Sequence, residues 1–135
     1  MNTRILFISA ILFLTSCKTQ PPVWRQTANW KIYKTDEQKG FSYPLDSLHT
    51  LLAGVLDADS IRAYLQYAQL VSKSDPPVWM GAWPASYETP DGKTHKVMIS
   101  VYAGFFYDES SQSTFSLPKN MGTHWRAYLS NHIPN

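Results

Sequence analysis

The sequence predicts an α+β domain, a small antiparallel sheet of three to four strands with two to three helices packed mainly on one face. Three observations carry this. Stretches around 29–34, 78–88 and 94–107 either alternate apolar with polar side chains or are rich in β-branched and aromatic residues, as strands are. Stretches at 45–56, 61–71 and 122–133 repeat apolar residues every three or four positions, as amphipathic helices do. The two kinds of pattern are segregated along the chain, which is the mark of the α+β class.

The first strand is read over Asn29 to Lys34, with Trp30 and Ile32 on one face and Tyr33 on the other. The polar run Thr35 to Gly40 ends it. Leu45, Leu48, Leu51, Leu52, Val55 and Leu56 then predict a helix, with Pro44 in the first turn, where a missing N–H breaks no bond. Asp57 or Asp59 is placed to cap a second helix carrying Ile61, Tyr64, Leu65, Ala68 and Val71, which Asp75-Pro76-Pro77 stops. Neither helix is long enough to stand alone in water, so both need an apolar surface to pack on.

That surface is expected from Val78 to Glu88 and Thr94 to Tyr107, paired across Pro90-Asp91-Gly92, where proline presets the turn and glycine accepts positive φ. Val97, Ile99, Val101 and Ala103 fall on one side; Met98, Ser100 and Tyr102 fall on the other. Pro84 should force an edge or a bulge, and Gly104 a second bulge. A turn over Asp108 to Ser113 leads to a short strand from Thr114 to Leu117, stopped by Pro118. From about Gly122, Trp125, Tyr128, Leu129 and Ile133 trace a last helical face, with Thr123 or Asn120 as caps.

Ahead of this domain stands a different kind of sequence. Arg4 precedes a ten-residue apolar run, Ile5 to Leu14, too short to span a bilayer as a helix of about 20 residues. It is followed by Leu14-Thr15-Ser16-Cys17, which resembles the lipobox of bacterial lipoproteins. The resemblance covers the leader alone. It implies cleavage before Cys17 by signal peptidase II and acylation of that cysteine, which holds the mature chain to a membrane. Lys18 stands where inner-membrane lipoproteins of enteric bacteria carry Asp, so the resemblance implies the outer membrane, facing the periplasm. The expected organisation is a leader over 1–16, a lipidated Cys17 with a short tether over 17–28, and one globular domain over 29–135.

Cys17 is the sole cysteine, so an acylated chain has no thiol left for a disulfide and must be held together by packing. From Cys17 onward there are 11 basic and 10 acidic side chains, with no basic stripe on any element, which argues against nucleic acid as a partner. All five Trp and all eight Tyr follow Cys17. They serve either a core of large rings or a binding surface.

The residues that could carry chemistry are scattered. His49, His95, His124 and His132 lack the spacing that lets two imidazoles share a zinc, so no metal is expected. No nucleophile elbow and no phosphate-binding glycine loop is present, so neither catalytic residues nor a cofactor are expected. Asp46, Asp57, Asp59, Glu88, Asp91, Asp108 and Glu109 sit mostly at expected caps and turns, where backbone hydrogen bonds account for them. What remains is aromatic: Trp79 and Trp83 share one side of a strand, and Tyr102 lies out of phase with its aliphatic neighbours. If those rings face away from the helices they form a flat platform for an envelope protein or a glycan; if inward, they are core. The leading expectation is a non-catalytic binding domain on a lipid anchor. An immunity or inhibitor protein against an envelope-acting toxin or hydrolase is the first alternative, and a small wall or glycan hydrolase the second.

Overall fold

The computed structural model describes residues 24–36, 39–73, 81–100 and 103–133. They form seven strands: β1 (Ala28–Tyr33), β2 (Leu52–Val55), β3 (Gln69–Lys73), β4 (Ala82–Glu88), β5 (Thr94–Ser100), β6 (Phe105–Asp108) and β7 (Ser113–Ser116). Two α-helices, α1 (Ala58–Leu65) and α2 (Lys119–Ser130), accompany three short 3-10 segments. The strands make a single antiparallel sheet in the order β2-β1-β4-β5-β6-β7-β3. The α+β class is as expected; the sheet is larger than the three to four strands expected.

The extra strands come from segments whose local pattern is ambiguous. The helix expected over 45–56 is a 3-10 segment over Leu45–Leu51 that passes directly into β2. Leu48 and Leu56 are buried as a helix would have them, but Leu52 and Val55 are exposed, and Gly54 weakens a helix interior. Pairing to β1 decides the matter, with Ile32 opposite Gly54. Likewise α1 stops at Leu65, and the helical spacing of Ala68 and Val71 gives way to β3. Thr94 to Tyr107, read as one strand with a bulge at Gly104, is a hairpin: Met98 lies opposite Tyr107, and Ile99 opposite Phe106.

The β4–β5 pairing holds without a break from Ala82↔Ser100 to Glu88↔Thr94. Pro84 therefore marks neither a sheet edge nor a bulge. The β1 ladder ends at Ile32↔Ala85, one residue short of it, so its missing N–H interrupts no pairing on that side. Bulges occur elsewhere: between Ala28 and Lys31 of β1 against β4, and at the sheet's two outer strands, where β2 meets Ile32 and Tyr33 and between Leu70 and Ser72 in β3. A bulge twists an outer strand away from flat pairing with another chain, which guards edges that expose Val55 and Val71.

Alternation along β4 and β5 sends Ala85, Tyr87, Val97 and Ile99 to one face, where Ile61 and Leu65 of α1 and Trp125 and Leu129 of α2 complete the main core. Asp57 caps α1 by accepting from the Ser60 N–H at 2.8 Å. In α2 neither Thr123 nor Asn120 is the cap; Pro118 holds that position, without a side-chain cap bond. Trp24, within the stretch expected to be tether, is 3% exposed and packs among Trp30, Tyr87, Phe106 and Phe115 at ring distances of 5.5–6.1 Å. The packed domain thus includes Trp24, ahead of the expected start at Asn29.

The opposite face carries a strap. Phe41 packs on Ala82, Met98 and Tyr107, and the buried Lys96 reaches from β5 to donate to the carbonyls of Phe41 (3.3 Å) and Tyr43 (2.6 Å) while pairing with Glu109 at 3.0 Å. Gly40 lies so close to the sheet that a Cβ there would come within 2.3 Å of the Ala82 carbonyl oxygen. Both faces of the sheet's centre are consequently covered.

Candidate functional site

Most of the carboxylates and histidines in the described residues have partners that account for them structurally. Asp57 caps α1, and the Ser60 N–H and hydroxyl hold its carboxyl below the usual range. Asp59 pairs with Arg62, Glu88 accepts from Asn29, and Asp91 binds Thr89 and the Lys93 N–H. Asp108, fully buried, accepts from the hydroxyls of Tyr87, Ser110 and Ser111 and from the Ser111 N–H, which ties the β6–β7 turn to β4. Burial and the nearby Asp108 carboxylate push the Tyr87 phenol well above its ordinary range, so it remains a donor at neutral pH. His95 stacks on Tyr87 and meets Thr89 through Nε2, while His49 and His132 each bond a carbonyl within their own turn. Among the described residues no three His, Cys, Asp or Glu side chains are grouped to hold a metal ion.

Of the three rings expected on a binding platform, Trp79 and Tyr102 lie outside the described residues, as does Cys17. Trp83 lies opposite Ile99, on the face the helices cover, partly buried against the main core. Its ring is therefore not on a face turned away from the helices; the pairing register, which a one-residue slip would invert, sets this.

Among the described residues the fold builds a groove elsewhere. At the open end of the β6–β7 hairpin, where Phe105 pairs with Ser116, a groove of about 420 Å³ runs between the hairpin and α2. One wall is a single helical face: Lys119, Gly122, Thr123 and Arg126 stand at i, i+3, i+4 and i+7. The adjacent face of the same helix buries Trp125 and Leu129, so packing of the core fixes which way the first four point. The opposite wall and floor come from Ala103, Phe105, Ser116 and Leu117. Leu117 donates its N–H to the Gly104 carbonyl at 2.8 Å, which closes the hairpin end.

Two glycines let the walls meet. A Cβ on Gly104 would stand 3.5 Å from the Gly122 Cα and 3.4 Å from the Leu117 Cβ. At Gly122 the fit is looser, since a Cβ would meet the Gly104 N at 3.8 Å and its Cα at 4.0 Å, ordinary contact distances. A glycine inside a helix costs about 1 kcal/mol against alanine. Gly122→Ala is accordingly expected to raise stability by about 0.5–1 kcal/mol, seen as a higher urea midpoint at unchanged slope. A lower midpoint would show that the helix needs a bare backbone there.

The sequence contained a signal for half of this site, the spacing of Lys119, Gly122, Thr123 and Arg126 on one stripe beside the apolar one. The other half comes from Phe105–Asp108 and Ser113–Ser116, whose pairing no local pattern in the sequence marks. Comparisons of the chain with protein-family models, with curated proteins and with solved structures found no match. Among the described residues no helix is long and apolar enough to cross a membrane.

Proposed function

We propose that this protein is a lipid-anchored envelope protein, held by acyl chains on Cys17 in the outer membrane and facing the periplasm, whose domain binds another envelope component without catalysing a reaction. The observation that carries the binding reading is the make-up of the groove. Its described lining combines cations, hydroxyls and apolar side chains and includes no histidine, carboxylate or thiol. Such groups hold and orient a ligand; a serine or threonine hydroxyl becomes a nucleophile chiefly through an adjacent base, and the described lining offers neither a histidine nor a carboxylate for that part.

The anchor reading rests on Leu14-Thr15-Ser16-Cys17. Two or three acyl chains make a durable anchor where one would not. Seven residue steps separate Cys17 from the packed Trp24. At most about 25 Å of chain joins them, so the domain works close to the membrane, where local concentration favours partners of the same surface.

Growth with radiolabelled palmitate tests the anchor. The wild-type chain should carry label in the outer-membrane fraction, and Cys17→Ser should lose the label and leave that fraction. Unchanged labelling of Cys17→Ser would end the lipoprotein reading.

A further inference from the structure

We infer that the domain rests on the lipid surface of its membrane through the two outer strands of the sheet, β2 and β3, and the turn that leads into β3. The inference names a contact of the anchored protein and rests on the lipid-anchor reading above. Six large apolar side chains are exposed among the described residues, and five of them lie on these elements: Leu52 and Val55 in β2, Tyr67 in the turn, Leu70 and Val71 in β3. Curvature brings the two outer strands toward one place. Trp30 in β1 and Phe115 in β7 are four strand spacings apart, about 19 Å across a flat sheet. Both rings nevertheless lie within 6.1 Å of the Trp24 ring, so the sheet curls around that side chain. β2 pairs beyond β1, with Val55 opposite Lys31, and β3 pairs beyond β7, with Leu70 opposite Phe115. α1 follows β2 and precedes β3, and it lies against both β1 and the short turn that holds Trp24.

The lipid surface is argued from where the tether ends. Trp24 is the buried residue at which the domain takes up the chain from Cys17, and at most about 25 Å of chain joins the two. Each outer strand lies one strand spacing, about 5 Å, beyond a strand whose ring touches Trp24, so both edges are within reach of a surface that holds Cys17. A second protein strand fits these edges poorly, because a bulge interrupts the ladder at both outer strands. Lipid needs no ladder. The headgroup layer takes apolar side chains with tyrosine and lysine beside them, as Tyr67 and Lys73 stand beside Leu70 and Val71. Residues 52–73 carry two carboxylates, Asp57 and Asp59, and two cations, Arg62 and Lys73, so apolar burial and not net charge drives the docking.

The test uses the acylated protein in vesicles of phosphatidylcholine, alone or mixed with phosphatidylglycerol. Acylation of Cys17 leaves an introduced cysteine as the only free thiol, so a nitroxide label can be placed at Val55→Cys, at Val71→Cys or, as a reference, at Lys39→Cys. Lys39 is exposed beside Gly40, on the strap that covers the sheet's other face. Spin relaxation compares the access of oxygen, which concentrates in lipid, with that of a water-soluble nickel chelate. The oxygen-to-chelate ratio should be several-fold higher at Val55→Cys and Val71→Cys than at Lys39→Cys, and the same in both kinds of vesicle. If a thermal melt shows that Val71→Cys does not fold, Leu52→Cys and Val55→Cys read the β2 edge. Equal ratios at the outer strands and the strap overturn the inference, while retention of the protein on the vesicles leaves the anchor reading standing. A ratio that rises only with phosphatidylglycerol overturns the apolar docking. Dipolar broadening between Val71→Cys labels assigns the edge to a second copy of the chain and overturns the lipid contact. Wild-type protein that does not stay with the vesicles ends both readings.

Discussion

Replacing Trp24 with alanine is expected to lower the unfolding free energy by about 3–5 kcal/mol, the usual cost of truncating a large buried ring. Trp24 is the hub of the aromatic core, with Trp30, Tyr87, Phe106 and Phe115 all within 6.1 Å of its ring centre. Its turn is fixed locally, because the Thr27 hydroxyl donates to the Trp24 carbonyl at 2.8 Å and accepts from the Trp30 indole at 3.0 Å. The Trp24 indole N–H itself is buried without a hydrogen-bond partner among the described residues. A phenylalanine there removes an unsatisfied donor while keeping most of the ring area. Trp24→Phe should therefore cost less than half as much as Trp24→Ala. A chain starting at Asn29 should lose at least as much as the alanine variant. Domains of this size have about 5–15 kcal/mol in total, so either loss moves the protein toward its unfolding threshold. Urea melts of the variants measure this, and a loss below 1 kcal/mol for Trp24→Ala would show that the aromatic hub is not formed in solution.

Lys96→Met is expected to cost about 3 kcal/mol and to loosen the strap before the sheet. Methionine matches the apolar stem of lysine but has no donor, so the carbonyls of Phe41 and Tyr43 lose their ammonium, and Glu109 its partner. The Glu109 side chain is 39% exposed, so water screens its share of the ion pair to less than about 1 kcal/mol; the two carbonyl bonds dominate. Hydrogen exchange separates local from global effects. The Ser42 amide, bonded to the Lys39 carbonyl at 2.8 Å, should exchange at least tenfold faster, while amides of β4 and β5 change only with global stability. Uniform acceleration everywhere, or a stability change under 0.5 kcal/mol, would mean that the ammonium does not hold the strap down.

The same pair of residues shows where sequence reading stops. Trp24 follows Pro21-Pro22 in a polar stretch without periodicity, so nothing local distinguishes it from a tether residue. Its burial depends on a hydrophobic recess formed by strands 60 to 90 residues downstream. Lys96 sits in a strand between His95 and Val97, and alternation alone places it on a solvent face. Only the strap makes that face interior, and only the strap's carbonyls make a buried ammonium tolerable.

What the sequence determined by itself is local. The β4–β5 hairpin over Pro90-Asp91-Gly92, the first strand, an aspartate cap at Asp57 or Asp59 and the Trp125/Leu129 stripe of α2 all follow from turn chemistry, period and capping, which act within a few residues. The lipobox-like tetrapeptide is legible for the same reason. Tertiary structure decided everything that depends on a distant partner. Whether Leu52–Val55 and Gln69–Lys73 are helix or strand was settled by free edges at β1 and β7, since short apolar segments fit either period and take the one that satisfies their backbone. Whether Trp83 faces helices or solvent was settled by register, to which composition is blind. The groove likewise exists because α2 packs beside the hairpin's open end, where Gly104 and Gly122 let two backbones approach. No pattern along the chain specifies which surfaces will meet.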